Sequence, residues 1–256
     1  MKSYYWRIVH DRIKLFFIVI MIILPMIEVF QVWWTCRQFG LEMYQPMYAT
    51  FQSLPGIAFH IIHRIYSWFM PLYLIIIFSE PVIEDAETHI VNCLMCREGR
   101  DAYVRNLLRN SFVGGFSLIM LAMLINLVLC CIVFRDGTHM DMDPEDFPEN
   151  TLYVLSHAHP LAANLIFAAI TAFVSALIGT VGTAVALAVP DRKIVYGFSL
   201  LMWFVPLASK KSLMLVFQPF SEYGFGDLIP IFAVVTISYI IVIAVAVFWR
   251  NRYGTI

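Results

Sequence analysis

Apolar positions along the chain cluster into six runs separated by polar segments. The runs cover Leu15–Trp34, Ile62–Phe78, Ser111–Phe134, Leu161–Ala188, Ile194–Ala208 and Leu228–Trp249. The hydrocarbon core of a bilayer takes about 20 apolar residues per crossing helix. The pattern therefore predicts an all-α membrane protein in which residues 1–256 form a single domain of six transmembrane helices. Pro25 is tolerable inside a membrane helix, and the Trp33–Trp34 pair closes the first run where indole rings favour the membrane interface. Ahead of it, Tyr4 to Lys14 interleaves aromatic and basic residues at a spacing that lets a helix lie flat in the interface.

Composition agrees with this reading. The chain is 61% hydrophobic and 14% charged, against about 25% charged for a soluble domain, and its mean hydropathy is +0.77. A formal net charge of −1 gives no basic surface for nucleic acid. Five unevenly spaced cysteines argue against a disulfide framework. The first apolar run is too long for the core of a cleavable signal and lacks a cleavage site after it.

Lysine and arginine set the orientation. With the N-terminus inside, twelve of them fall on inner segments (Lys2, Arg7, Arg12, Lys14, Arg97, Arg100, Arg105, Arg109, Arg192, Lys193, Arg250, Arg252). Five fall outside (Arg37, Arg64, Arg135, Lys210, Lys211). Both chain ends are thus expected in the cytoplasm.

The inner segment from Ser79 to Asn110 is dense in acids and bases. Ile90, Leu94, Tyr103, Leu107 and Leu108 fall near helical spacing, with a break expected at Glu98–Gly99. Such a helix can dock in a partner's groove; otherwise the segment is a solvated loop whose arginines fix topology.

The layout resembles a short six-span permease of the ABC-2 type, of the kind found in bacterial peptide and bacteriocin export or self-immunity systems. The resemblance rests on the N-in layout, on Glu84, Asp85 and Glu87 after the second run, and on Arg97-x-x-Arg100-x-x-Tyr103-x-Arg105 leading through Arg109 into the third. It implies a bacterial plasma-membrane subunit working as a dimer, with a second copy or a paralogue, on two ABC ATPase subunits. The loop between spans two and three would be a cytoplasmic coupling helix in which Leu94, Arg97, Arg100, Tyr103, Arg105 and Leu107 meet the ATPase. It also implies an interfacial helix at Tyr4–Lys14 and a re-entrant helical pair at Lys210–Asp227. An amphipathic or antimicrobial peptide is the substrate it implies.

No phosphate-cradling Gly-x-x-x-x-Gly-Lys-Ser/Thr loop occurs, so ATP and Mg²⁺ would be held by the partner and no cofactor by this chain. Glu28 stands about 20 Å into the first span, counting about 1.5 Å per residue from Leu15. An ionisable group there is a candidate for the substrate pathway, or else pairs with Arg64 or Lys210. Gly179 and Gly182, with the small residues around them, offer a helix-packing face. His60, His63, His139, His157 and His159, with Asp141 and Asp143, raise a rival reading as an external metal or haem protein or enzyme, but no pair has a specific ligand spacing. Cys93-x-x-Cys96 has no second pair to complete a zinc site. A membrane sensor subunit without transport is the third reading.

Overall fold

A computed structural model describes residues 2–53, 61–140 and 145–253, and it is all-helical, with no strand among those residues. Five helices are long and apolar enough to cross a membrane, the architecture of a multi-pass membrane protein.

Helix α1 (Lys2–His10) is followed directly by α2 (Arg12–Phe39). The break falls at Asp11, whose extended backbone and side chain cap α2 by accepting from the N–H groups of Ile13 and Lys14. The amphipathic segment therefore ends at His10, and Lys14 belongs to the first turn of α2. Gly40, at φ 63°, ends α2.

The second crossing is continuous from Ile62 to Glu87. It comprises α3 (Ile61–Leu74), a π-helical turn over Ile75–Ser79 and α4 (Glu80–Glu87). The π turn ends two residues before Pro81, which has no N–H to donate and whose ring crowds the preceding turn. The acidic residues that the pattern placed in a loop after Phe78 thus ride on the end of the crossing helix itself. His89, at φ 57°, turns the chain into α5 (Ile90–Glu98). Gly99, at φ 83°, turns it again into α6 (Arg100–Val133).

The expected break at Gly99 is present, but α6 starts eleven residues before the apolar run that predicts it. Tyr103, Val104 and Leu107 bury a face there although arginines occupy the other faces. Helix α7 (Thr151–Ala158), capped by Asn150, occupies the end of the predicted acidic loop. It is followed by α8 (Pro160–Ala188), α9 (Arg192–Leu207) and α10 (Phe225–Tyr253). Between α9 and α10, residues 210–224 hold one 3-10 turn, Leu213–Phe217, in place of the expected helical pair.

Helix α8 is the axis of the bundle and packs against α6, α10, α9 and α3. Its small residues permit this. A Cβ at Gly182 would lie 2.8 Å from Ser79 Oγ and 3.0 Å from Ile75 Cγ1, and one at Gly179 would lie 3.3 Å from Leu74 Cβ. Both glycines thus seat the second crossing on α8. Thr183 joins α8 to α6 by donating to Ser111 Oγ at 2.9 Å.

The helices alternate between two ends. One, the basal end, gathers α1, the start of α2, α4, α5, the start of α6, the end of α8, Arg192 and Arg250. The other, the distal end, gathers residues 44–53, Phe134–His139, α7 and the 213–217 turn. Helix α9 also runs from basal to distal. At 16 residues it is about 24 Å long, shorter than the five.

Candidate functional site

At the basal end the acidic residues of α4 are distributed among three other helices. Arg7 of α1 donates from Nη1 to Asp85 Oδ2 at 3.0 Å, with Nη2 2.8 Å from Oδ1. Lys14 of α2 lies 3.1 Å from both oxygens of Glu84 and 2.8 Å from Asp11. Arg192 of α9 donates to Glu80 at 2.6 Å and to Glu87 at 2.8 Å, and Tyr196 donates to Glu80 at 3.0 Å. The Tyr4 and Tyr5 hydroxyls donate to the Phe78 and Asn110 carbonyls at 2.7 and 2.9 Å.

Helix α1 is therefore strapped across the ends of the second and third crossings. Tyr4 and Ile8 are buried, while Trp6 and Val9 are exposed on the opposite side. Burial pushes the Tyr4 phenol above its ordinary value. The hydrogen bond from Lys14 holds the Asp11 carboxyl below its own.

Helix α5 projects at this end between the second and third crossings. Ile90, Cys93, Cys96 and Arg97 are exposed and Leu94 half-buried, and the exposed strip continues over Arg100 and Arg105 of α6. Tyr103 and Leu107, expected as partner anchors, lie inside the bundle at 4% and 5% exposure. The helix that carries them is already packed by the second crossing and α5, so neither is available to a partner.

Arg250, buried near the end of α10, ties α5 to the bundle. It donates to the Leu187 carbonyl at the end of α8 and lies 3.9 Å from Met95 Sδ, while Arg100 donates to the Arg250 carbonyl at 2.6 Å.

At the distal end, residues 44–53, which the orientation puts in the outer segment between Arg37 and Arg64, do not form a loop outside the bundle. They fold back between the helices, with a 3-10 turn at Pro46–Tyr48 and with Ala49, Thr50, Phe51 and Gln52 buried. Irregular backbone in such a place needs partners from the protein, and amide side chains supply them. Asn126 of α6 accepts from the Phe51 N–H at 3.0 Å and donates to the Pro25 carbonyl at 2.8 Å. Asn164 of α8 accepts from the Thr50 hydroxyl at 2.7 Å and donates to the Met47 carbonyl at 2.9 Å. Gln52 donates to Thr171 at 2.7 Å.

Glu28, at 1% exposure, lies in this region, close enough to Cys130 to interact with it electrostatically. Sequence reasoning singled out Glu28 but missed the amides around it. Asn126 and Asn164 inside apolar runs were the available signal, since polar groups at membrane depth are costly unless they are used.

The histidines are scattered. His139 lies 3.8 Å from Glu42, and His157 sits among Tyr48, Tyr153 and Phe220 with Nδ1 bonded to the Tyr153 carbonyl at 2.9 Å. His63 Nδ1 bonds to the Phe51 carbonyl at 3.0 Å. His60, Asp141 and Asp143 lie outside the described residues. Among the described residues, no three His, Cys, Asp or Glu side chains are grouped to hold a metal ion.

No family model matches the chain, and no solved structure matches it. It is 32% identical over 255 residues to the uncharacterized protein YybM of Bacillus subtilis (strain 168), with 99% of each chain covered. Likeness at that level over the whole length, helical spans and connecting segments alike, places this chain in the family of YybM.

Proposed function

We propose that the chain is the membrane-spanning subunit of an ATP-driven exporter of the ABC-2 type, in a bacterial plasma membrane. Here α9 serves as a sixth crossing and the basal end faces the cytoplasm. The observation that carries this reading is α5. A nine-residue helix, held between two crossings by turns at His89 and Gly99, offers an exposed face with an apolar residue and a basic margin. That is the composition of a protein-docking surface. The docking residues are Ile90, Cys93, Leu94, Arg97, Arg100 and Arg105; Tyr103 and Leu107 serve as the internal seat of the segment. The ATPase that binds there carries the ATP and Mg²⁺, in two copies beneath two permeases, the second an identical copy or a paralogue.

The contacts of α5 give its movement a route. Closure of the ATPases pushes α5, and through Met95, Arg100 and Arg250 the push reaches α8 and α10. Glu28, a carboxyl buried in the distal half of the bundle, would meet a cationic, amphipathic peptide once that half opens. An ionisable group at membrane depth is costly unless it is used, so its burial there is consistent with use.

The test is ATP hydrolysis by the full chain, affinity-purified from its native membrane and from a heterologous host. The native preparation should hydrolyse ATP and the heterologous one should not. Ile90→Glu with Arg97→Glu should abolish the native activity while the amount of inserted chain stays the same, because both side chains are exposed. Hydrolysis by the heterologous chain alone, or an unchanged rate from the double variant, overturns the proposal.

A further inference from the structure

Helices α9 and α10 both pack on α8 but barely touch each other, and the wedge between them is a groove of about 620 Å³. Its floor is Ile231, Val235 and the buried ring of Tyr239; its walls, Leu201, Val205 and Val234, are exposed on the flank of the bundle. The Tyr239 hydroxyl donates to the Met202 carbonyl at 3.3 Å and closes the inner end. Ser209 and Lys211 stand at the distal mouth.

Two features say what fits. From Pro230 to Tyr239 the groove follows nine helical rises of α10, about 14 Å. One leaflet of a hydrocarbon core about 30 Å thick spans about 15 Å. The groove is apolar for one leaflet's depth and ends, at headgroup level, on a cation. Its volume lies within the range of roughly 300–1,000 Å³ common for ligand sites.

We infer that the groove between α9 and α10 is a phospholipid site. One acyl chain lies along Ile231, Val234 and Val235 down to Tyr239, and the phosphate sits at Lys211. Lys211 also pairs with Asp227 at 2.7 Å, which holds its ammonium at the mouth and places an acceptor beside it for a headgroup donor. The neighbouring Lys210 leaves the rim with two cations against one carboxylate. The Ser209 hydroxyl already faces the Pro206 and Lys211 carbonyls at 2.9 and 2.7 Å and shapes the turn that carries Lys211, so the ammonium is what bonds the phosphate, and charge-assisted bonds of this kind are the stronger class. The inference needs only a membrane-spanning chain and stands apart from the exporter reading.

Native mass spectrometry of the full chain in detergent, titrated with dioleoylphosphatidylglycerol, tests it. Wild-type chain should retain the lipid. Val234→Phe with Ser238→Phe, which fills the groove from its wall, should lower retention at least tenfold, with helicity by circular dichroism as the control for folding. Lys211→Gln should lower it about threefold to tenfold. Dioleoylglycerol, which has the same chains and no phosphate, should bind wild type as weakly as phosphatidylglycerol binds Lys211→Gln. Equal retention by wild type and the groove-filled variant overturns the site. So does a doubled mass in wild type that the same variant abolishes without any lipid retained, since the groove would then seat a second copy.

Discussion

The two ends of this bundle are tied by different chemistry. At the basal end α1, α2 and α9 are held to α4 by ion pairs, and most of the partners stay partly open to solvent, as with Arg7 at 38% and Arg192 at 48% side-chain exposure. At the distal end the chain is held by neutral amides and hydroxyls that are almost wholly buried, among them Asn126 and Asn164 at 1% and 3%. Exposed ion pairs contribute about 0–1 kcal/mol each and exchange partners readily. A buried backbone group left without its partner costs about 1–3 kcal/mol. The Arg192 pairs can therefore rearrange with little penalty, whereas Asp85 and Lys14, at 4% and 5% side-chain exposure, hold α1 and α2 more firmly, and the distal end holds one arrangement closely. Under the proposed reading, the end that meets the ATPase is the one with the more exchangeable contacts.

Two substitutions sharpen the contrast. The larger effect should come from Asn126→Leu, which strands the Phe51 N–H and removes a donor from the Pro25 carbonyl. Two such losses, at about 1–3 kcal/mol each, should lower the unfolding temperature of the detergent-solubilised chain markedly. The drop should be the same at low and high salt. Arg192→Ala, which removes the exposed pairs to Glu80 and Glu87, should destabilise by about 1 kcal/mol or less, read as faster hydrogen exchange in the first turn of α9, and added salt should move wild type toward the variant. If the Asn126 effect proves salt-dependent and the Arg192 effect does not, the two ends have been assigned the wrong chemistry.

The sequence made some of this plain and hid the rest for physical reasons. Long apolar runs locate the crossings because a bilayer imposes their length, and Gly99 announced its turn because few other residues adopt its conformation. The extent of α6 was hidden because Arg100 to Asn110 is polar in composition. Only packing reveals that Tyr103, Val104 and Leu107 bury one face there. The same mixed pattern made Tyr103 and Leu107 look like anchors for a partner, since periodicity does not say which neighbour covers an apolar stripe. Residues 44–53 read as an outer loop because their polarity is satisfied by side chains from α6 and α8, more than 70 positions away. Glu28 was legible as a charge at membrane depth, but the cluster around it needed the fold.

The central claim is that the charged end, with α5 exposed on it, faces the cytoplasm and the amide-held end faces outward. Cys93 and Cys96 are exposed on α5, whereas Cys36 and Cys130 are buried, so the native thiols report on the basal end. In a Cys131→Ser background, a membrane-impermeant maleimide applied to intact cells should leave Cys93 and Cys96 unlabelled. It should react with them once the membrane is permeabilised. A Glu145→Cys substitution in the same background should be labelled in intact cells. Labelling of Cys93 or Cys96 in intact cells, with Glu145→Cys protected, would contradict the account.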